Sequence, residues 1–93
     1  MLDFKLQNIL IRKRRWETAN RPDLVITDVD LGSTLNGFDV AATAHERWPS
    51  VNVVLISGLP ADPHRLDPRD RYLQKPLSSR RLLRTIDELP KPA

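Results

Sequence analysis

The chain contains no cysteine. That excludes a disulfide scaffold and a thiolate metal site, and it fits a reducing compartment such as the cytoplasm. Long apolar runs are missing as well. The longest, "VVLI" at residues 53–56, falls far short of the ~20 residues a membrane-spanning helix needs, so no membrane association is expected. The N-terminal basic cluster follows a short apolar run instead of preceding it, which excludes a signal-peptide pattern. Repeats and low-complexity segments are absent. His64 has no second histidine close by and reads as a loop residue, not as part of a metal site.

What is present is a chain of 93 residues with 40% apolar content, enough for a core and too much for wholesale disorder. A domain this short buries a modest share of its surface, and a single domain over 1–93 is expected, with a body over about 2–89 and a tail at 90–93. The net charge of +3 is unevenly spread. Residues 1–21 hold six basic and two acidic groups, a net of +4, and the rest hold nine and ten, a net of −1. Such a block could attract nucleic acid. Arg12, Lys13, Arg14 and Arg15 lack interleaved aromatics and a DNA-binding motif, so they read as a solvated helix face.

The hydrophobic pattern alternates strand and helix. "LDFKLQ" at 2–7 alternates apolar and polar, as a strand with one buried face does. "ILIRKRRWETA" at 9–19 has near-helical spacing after a possible Asn8 cap, and predicts a helix that ends before Arg21-Pro22. "DLVIT" and "VNVVLISG" are runs without alternation, as in strands buried on both faces of a parallel sheet. Between them "GFDVAATAHERWP" puts Phe38, Ala41, Ala42, His45 and Trp48 on one helical face, with Pro49 as its stop. His45 reads as a packing or surface histidine, and Trp48 as a core or interface anchor. Pro60, Pro63 and Pro68 leave room only for a short or broken helix. "RYLQKP" is a last short strand. "LSSRRLLRTIDELP" closes the chain as an amphipathic helix, capped by Ser78, with Leu82, Leu83, Ile86 and Leu89 as its buried stripe. Strands alternating with helices imply an α/β fold, with the functional crevice outside the carboxyl ends of the strands.

At those ends stand Asp28 and Asp30, Ser57, and Lys75-Pro76, with Tyr72 three residues before Lys75. One carboxylate, one hydroxyl and one ammonium from three strands suit phosphoryl transfer onto a carboxylate. The carboxylate is the nucleophile, and the other two bind the oxygens on which charge accumulates.

"PDLVITDVDL", "NGFDVA", "VVLISG" and "YLQKPLSSRRLLRTI" resemble the receiver domain of bacterial two-component response regulators, over about Leu2 to Leu89. The resemblance implies a flavodoxin-like, doubly wound parallel sheet and a signalling domain, not an enzyme. It implies that Asp28 accepts a phosphoryl group from a histidine kinase or phosphotransfer protein. Ser57 and Lys75 would bind that group, Tyr72 would be the switch aromatic, and Lys75-Pro76 would be cis. Mg²⁺ would sit on Asp28 and the main-chain carbonyl of Asp30. Output would pass by contact to a downstream protein, through a surface that here carries Arg80, Arg81 and Arg84.

The chain departs from the family at its front. The family's first strand, the pair of acids that ends it and the first helix have no counterpart, so the fold is expected to be N-terminally truncated or rearranged. Asp3 is the only earlier acid, at the wrong end of its strand. Mg²⁺ binding is then expected to be weak or absent. Loss of a central strand leaves unpaired edges, which predicts an oligomer, strand exchange or a rebuilt N-terminal segment with "LDFKLQNILI" as an altered strand. The alternative function is a non-phosphorylated, oligomeric interaction module derived from a receiver.

Overall fold

The computed structural model describes residues 2–6, 9–13, 22–32 and 34–90, the first two ranges by their backbone alone. The elements run β1 (Leu2–Leu6), β2 (Ile9–Lys13), β3 (Pro22–Asp28), α1 (Gly37–Arg47), β4 (Asn52–Ser57), β5 (Arg71–Gln74) and α2 (Ser79–Asp87). One five-stranded sheet has the order β1-β2-β3-β4-β5. β3, β4 and β5 are parallel, in the registers Ile26↔Val54 and Ile56↔Leu73. β1 and β2 are antiparallel to each other, and β2 is antiparallel to β3. The described residues therefore form an α/β fold with three parallel strands, two helices and an antiparallel N-terminal hairpin.

The hairpin corrects the helix predicted over 9–19. Ile9–Lys13 is a strand, and residues 14–19 lie outside the described residues. The physical reason is twofold. "ILI" puts β-branched residues at positions 9 and 11, which favour a pleated surface. β3 also needs a partner for its second edge, and a ladder along it outweighs a weak helical period. Leu10 pairs with Ile26 and Ile11 with Val25, so that edge is closed within the chain. Where one altered strand was expected within "LDFKLQNILI", the fold has two, paired as a hairpin. Pro22 takes the first position of β3, where a missing N–H is tolerated, and the register shifts beside it between Arg12 and Lys13.

β3 and β4 are buried on both faces, which explains their unbroken apolar runs. Alternate residues feed two cores. Val25, Val53 and Leu55 face α1, where Ala41, Ala44 and Val51 complete the cluster. Leu24, Ile26, Val54 and Leu73 face α2, with Leu82, Ile86 and Leu89 packed on them. Each helix thus covers its own face. Two details of the predicted stripes change. Ala42 is exposed, and Ala44 takes its place against the sheet. Leu83 is 61% exposed and lies outside the α2 stripe.

Both helices start on side-chain caps. Ser78 accepts from the Arg81 N–H at 3.1 Å. Asn36 and Asp39 form a reciprocal box: Asn36 Oδ1 accepts from Asp39 N, and Asp39 Oδ2 accepts from Asn36 N. Between β4 and β5 the proline-rich connection makes turns and no helix. Asp62 and Asp67 accept from the backbone N–H two residues on. No helix among the described residues is long and apolar enough to cross a membrane.

Candidate functional site

The carboxyl ends of β3, β4 and β5 lie side by side. The parallel register sets Asp28 opposite Ile56 and Ser57 opposite Gln74. Two backbone bonds carry the ladders one step beyond the strands. The Val29 N–H donates to the Ile56 carbonyl at 2.9 Å, and the Lys75 N–H donates to the Ser57 carbonyl at 2.7 Å. Asp28, Ser57 and Lys75 are therefore held on one rim by main-chain geometry.

The backbone at Asp28 is fixed from both sides. The fully buried Thr27 hydroxyl donates to the Asp28 carbonyl at 2.9 Å. The Gly37 N–H, at the start of α1, donates to the Val29 carbonyl at 2.8 Å. Gly37 is needed for this approach, since a Cβ there would collide with the Asp28 carbonyl oxygen and lie 2.8 Å from the Val29 Cα.

The Asp28 carboxylate stands 3.6 Å from the Lys75 ammonium, with 22% and 53% of the two side chains exposed. Lys75 reaches it from two strands away. The Lys75–Pro76 peptide is cis. Ser57 is buried, and its Oγ accepts from the Leu59 N–H at 3.1 Å. Tyr72 is half-buried against the α1-side core, and its hydroxyl donates to the Leu59 carbonyl at 2.8 Å. Leu59 thus links the Ser57 hydroxyl to the Tyr72 ring, although its own side chain is 71% exposed.

Asp30 stands apart from this group. Its carboxylate turns back to accept from Gly32 N at 3.0 Å, and Gly32 closes that turn with φ of 72°. Among the described residues no three of His, Cys, Asp or Glu are grouped so as to hold a metal ion. Among the described residues the oxygens on this rim are the Asp28 carboxylate, the Ser57 hydroxyl and backbone carbonyls.

A second polar pair was not foreseen in the sequence. His45 Nε2 and Asp70 Oδ1 are 2.6 Å apart, with 7% and 2% of their side chains exposed. Burial pushes the Asp70 carboxyl above its ordinary value, and the hydrogen bond from His45 offsets part of that rise. Close by, the hydrogen bond from Arg69 holds the half-buried Asp67 well below the usual carboxylate range. The available signal was the position of His45 on the apolar face of α1, since a buried polar ring needs a partner. Nothing in the sequence pointed to Asp70 as that partner.

The site can do three things chemically: present one carboxylate, neutralise charge beside it with an ammonium, and offer a hydroxyl from the neighbouring strand. Compared with known proteins, the chain matches no family model, no curated protein and no solved structure.

Proposed function

We propose that the chain is a phosphoacceptor module of receiver type, a flavodoxin-like fold with a rebuilt N-terminus. Asp28 takes a phosphoryl group from a phosphohistidine donor. An Asp28 oxygen attacks phosphorus, the P–N bond breaks, and the donor imidazole leaves with the electron pair. The Lys75 ammonium and the Ser57 hydroxyl stabilise the charge that builds on the phosphoryl oxygens. The observation that carries this reading is the Lys75 ammonium 3.6 Å from the Asp28 carboxylate, with Ser57 on the strand between them.

Mg²⁺ favours near-octahedral oxygen ligands and gives up its waters reluctantly. One carboxylate and backbone carbonyls are a sparse set for it, so weak binding is expected. The resemblance also supports output through a downstream protein, with Arg80, Arg81 and Arg84 exposed on α2.

A second reading is an interaction module that has lost phosphotransfer. It is favoured by the antiparallel β2, which fills the position beside β3 without bringing carboxylates to the rim as the family's first strand does. Beryllofluoride with Mg²⁺, followed by NMR on the full chain, separates the two. Saturable shifts at Asp28, Ser57 and Lys75 support the phosphoacceptor. Their absence, with a stable dimer in solution, supports the second reading.

A further inference from the structure

On the α1 side of the sheet a buried, ion-pair-capable contact joins two elements distant in sequence. His45 lies in the last turn of α1, and Asp70 lies immediately before β5. A separation of 2.6 Å is in the range of charge-assisted bonds. The other ring nitrogen, Nδ1, is buried and has no hydrogen-bond partner among the described residues. A histidine's tautomer is ordinarily set by the bond its second nitrogen makes. Among the described residues, Asp70 is the hydrogen-bond partner of this ring.

The pair has two relevant proton states. With one proton, Nε2–H donates to a carboxylate, and a net negative charge sits in the core. With a second proton, an imidazolium faces the carboxylate and the pair is neutral overall. Burial disfavours a net charge, so losing the second proton weakens this junction. The upward push of burial on the Asp70 carboxyl has the same physical origin.

The junction stands at the start of the strand that leads to the rim. Asp70 and Tyr72 are two residues apart and both meet the α1 side of the sheet, Asp70 at His45 and Tyr72 within the core cluster. From Tyr72 two hydrogen bonds lead through Leu59 to the Ser57 hydroxyl. We infer that the His45–Asp70 pair is a proton-operated positioning element, setting the place of the Ser57 hydroxyl through Tyr72 and Leu59. The coupling itself is independent of phosphotransfer, and only its consequence at the rim rests on the phosphoacceptor reading.

The surroundings permit such control. An open groove of about 590 Å³ runs past the pair, so protons can reach it from solvent. Five charged or titratable groups line that groove with it. Glu46 comes from α1, and His64, Arg65, Asp67 and Arg69 come from the connection before β5. Asp67 and Arg69 are tied to each other at 2.7 Å, and the Arg65 guanidinium stacks over Phe38 at 4.5 Å. Arg71, at the start of β5, is exposed. On the sheet side, Asp23 of β3 is a further buried acid, two residues before Val25 and so on the same α1-facing side. His64 lines the same groove and is the second histidine of the chain, so it is the control.

The test is an NMR titration of the full chain between about pH 5 and about pH 8, where histidine is the usual titrating group. The Leu59 amide and the Tyr72 ring are expected to shift with the midpoint of the His45 imidazole. The shifts should survive His64→Gln. In the double variant His45→Gln with Asp70→Asn, two amides can keep a hydrogen bond but exchange no proton, and the shifts should vanish. A Leu59 amide that stays flat while His45 titrates overturns the proposal. So does a shift that persists in a folded double variant. If the double variant unfolds, the wild-type comparison of the His45 and Leu59 midpoints decides alone. Beryllofluoride binding is read separately at Asp28. Its failure removes the phosphoacceptor reading and leaves the coupling standing, and the reverse also holds.

Discussion

The Lys75 ammonium, carried at the end of β5, lies 3.6 Å from an oxygen of Asp28 at the end of β3, two strands away. Both side chains reach solvent, so the attraction is screened and its worth to the fold is small. A contact that adds little stability yet spans the sheet is better explained by what it does to the carboxylate.

Lys75→Gln should therefore separate function from stability. The urea midpoint is expected to move by the equivalent of no more than about 0.5 kcal/mol. Phosphorylation of Asp28 by a small-molecule donor should slow by about a hundredfold, the loss typical when one stabilising group is removed from a transition state. A variant that reacts at the wild-type rate would remove Lys75 from the chemistry.

Gly37→Ala tests the seat of α1 on the rim. The added methyl group meets backbone at Asp28 and Val29, which cannot swing aside as a long side chain would. Overpacking of this kind costs about 1–3 kcal/mol. Urea unfolding should show that loss, and the Asp28 and Val29 amide shifts should move. Gly58→Ala is the control, because a Cβ there meets nothing within 4 Å.

How much of this was legible depended on whether the cause was local. β3 and β4 announce themselves as unbroken apolar runs because both of their faces are covered, and Ser78 caps α2 where a short polar residue precedes an apolar period. Asp28, Ser57 and Lys75 could be grouped because parallel strands put their carboxyl ends on one edge. Ile9–Lys13 was misread because its fate is decided by the open edge of β3, which is not a property of residues 9–13. Asp70 was missed for the same reason, since only the fold brings it to His45, twenty-five positions earlier. The Asn36–Asp39 box is different. Its signal was local and present, an Asx residue three before an acid at a helix start.

That box supplies a further prediction. Asn36→Ala should cost about 1 kcal/mol in urea unfolding, and Ser78→Ala a similar amount, as losses of N-caps do. The two should differ at the rim. The Asn36 box fixes the turn just before Gly37, whose N–H holds the Val29 carbonyl, so Asn36→Ala should also shift the Val29 amide. Ser78→Ala should leave it unmoved. Equal shifts from both variants would mean that the first turn of α1 does not position Asp28.

The pH dependence of stability follows from Asp70. Burial raises its carboxyl in the folded chain above the value of about 3.9 expected when unfolded. Below that unfolded value the group is protonated in both states and imposes no penalty. As pH rises, the unfolded chain gives up this proton first, so the unfolded state gains and folding weakens. The loss is complete once pH has passed through the raised folded value. Asp67 has the opposite sign, because Arg69 holds its carboxyl low in the folded state, and its contribution fades only as pH falls towards that depressed value. Asp67 is a third exposed and Arg69 more than half, so solvent screens the pair and Asp70 should set the trend. Urea unfolding free energies of the wild type and of Asp70→Asn, compared from about pH 4 upward, isolate the effect. The wild type should lose stability relative to the variant as pH rises and then level off. A difference that stays constant, or that grows in favour of the wild type, would mean that His45 holds the Asp70 carboxylate strongly enough to cancel the cost of burying it.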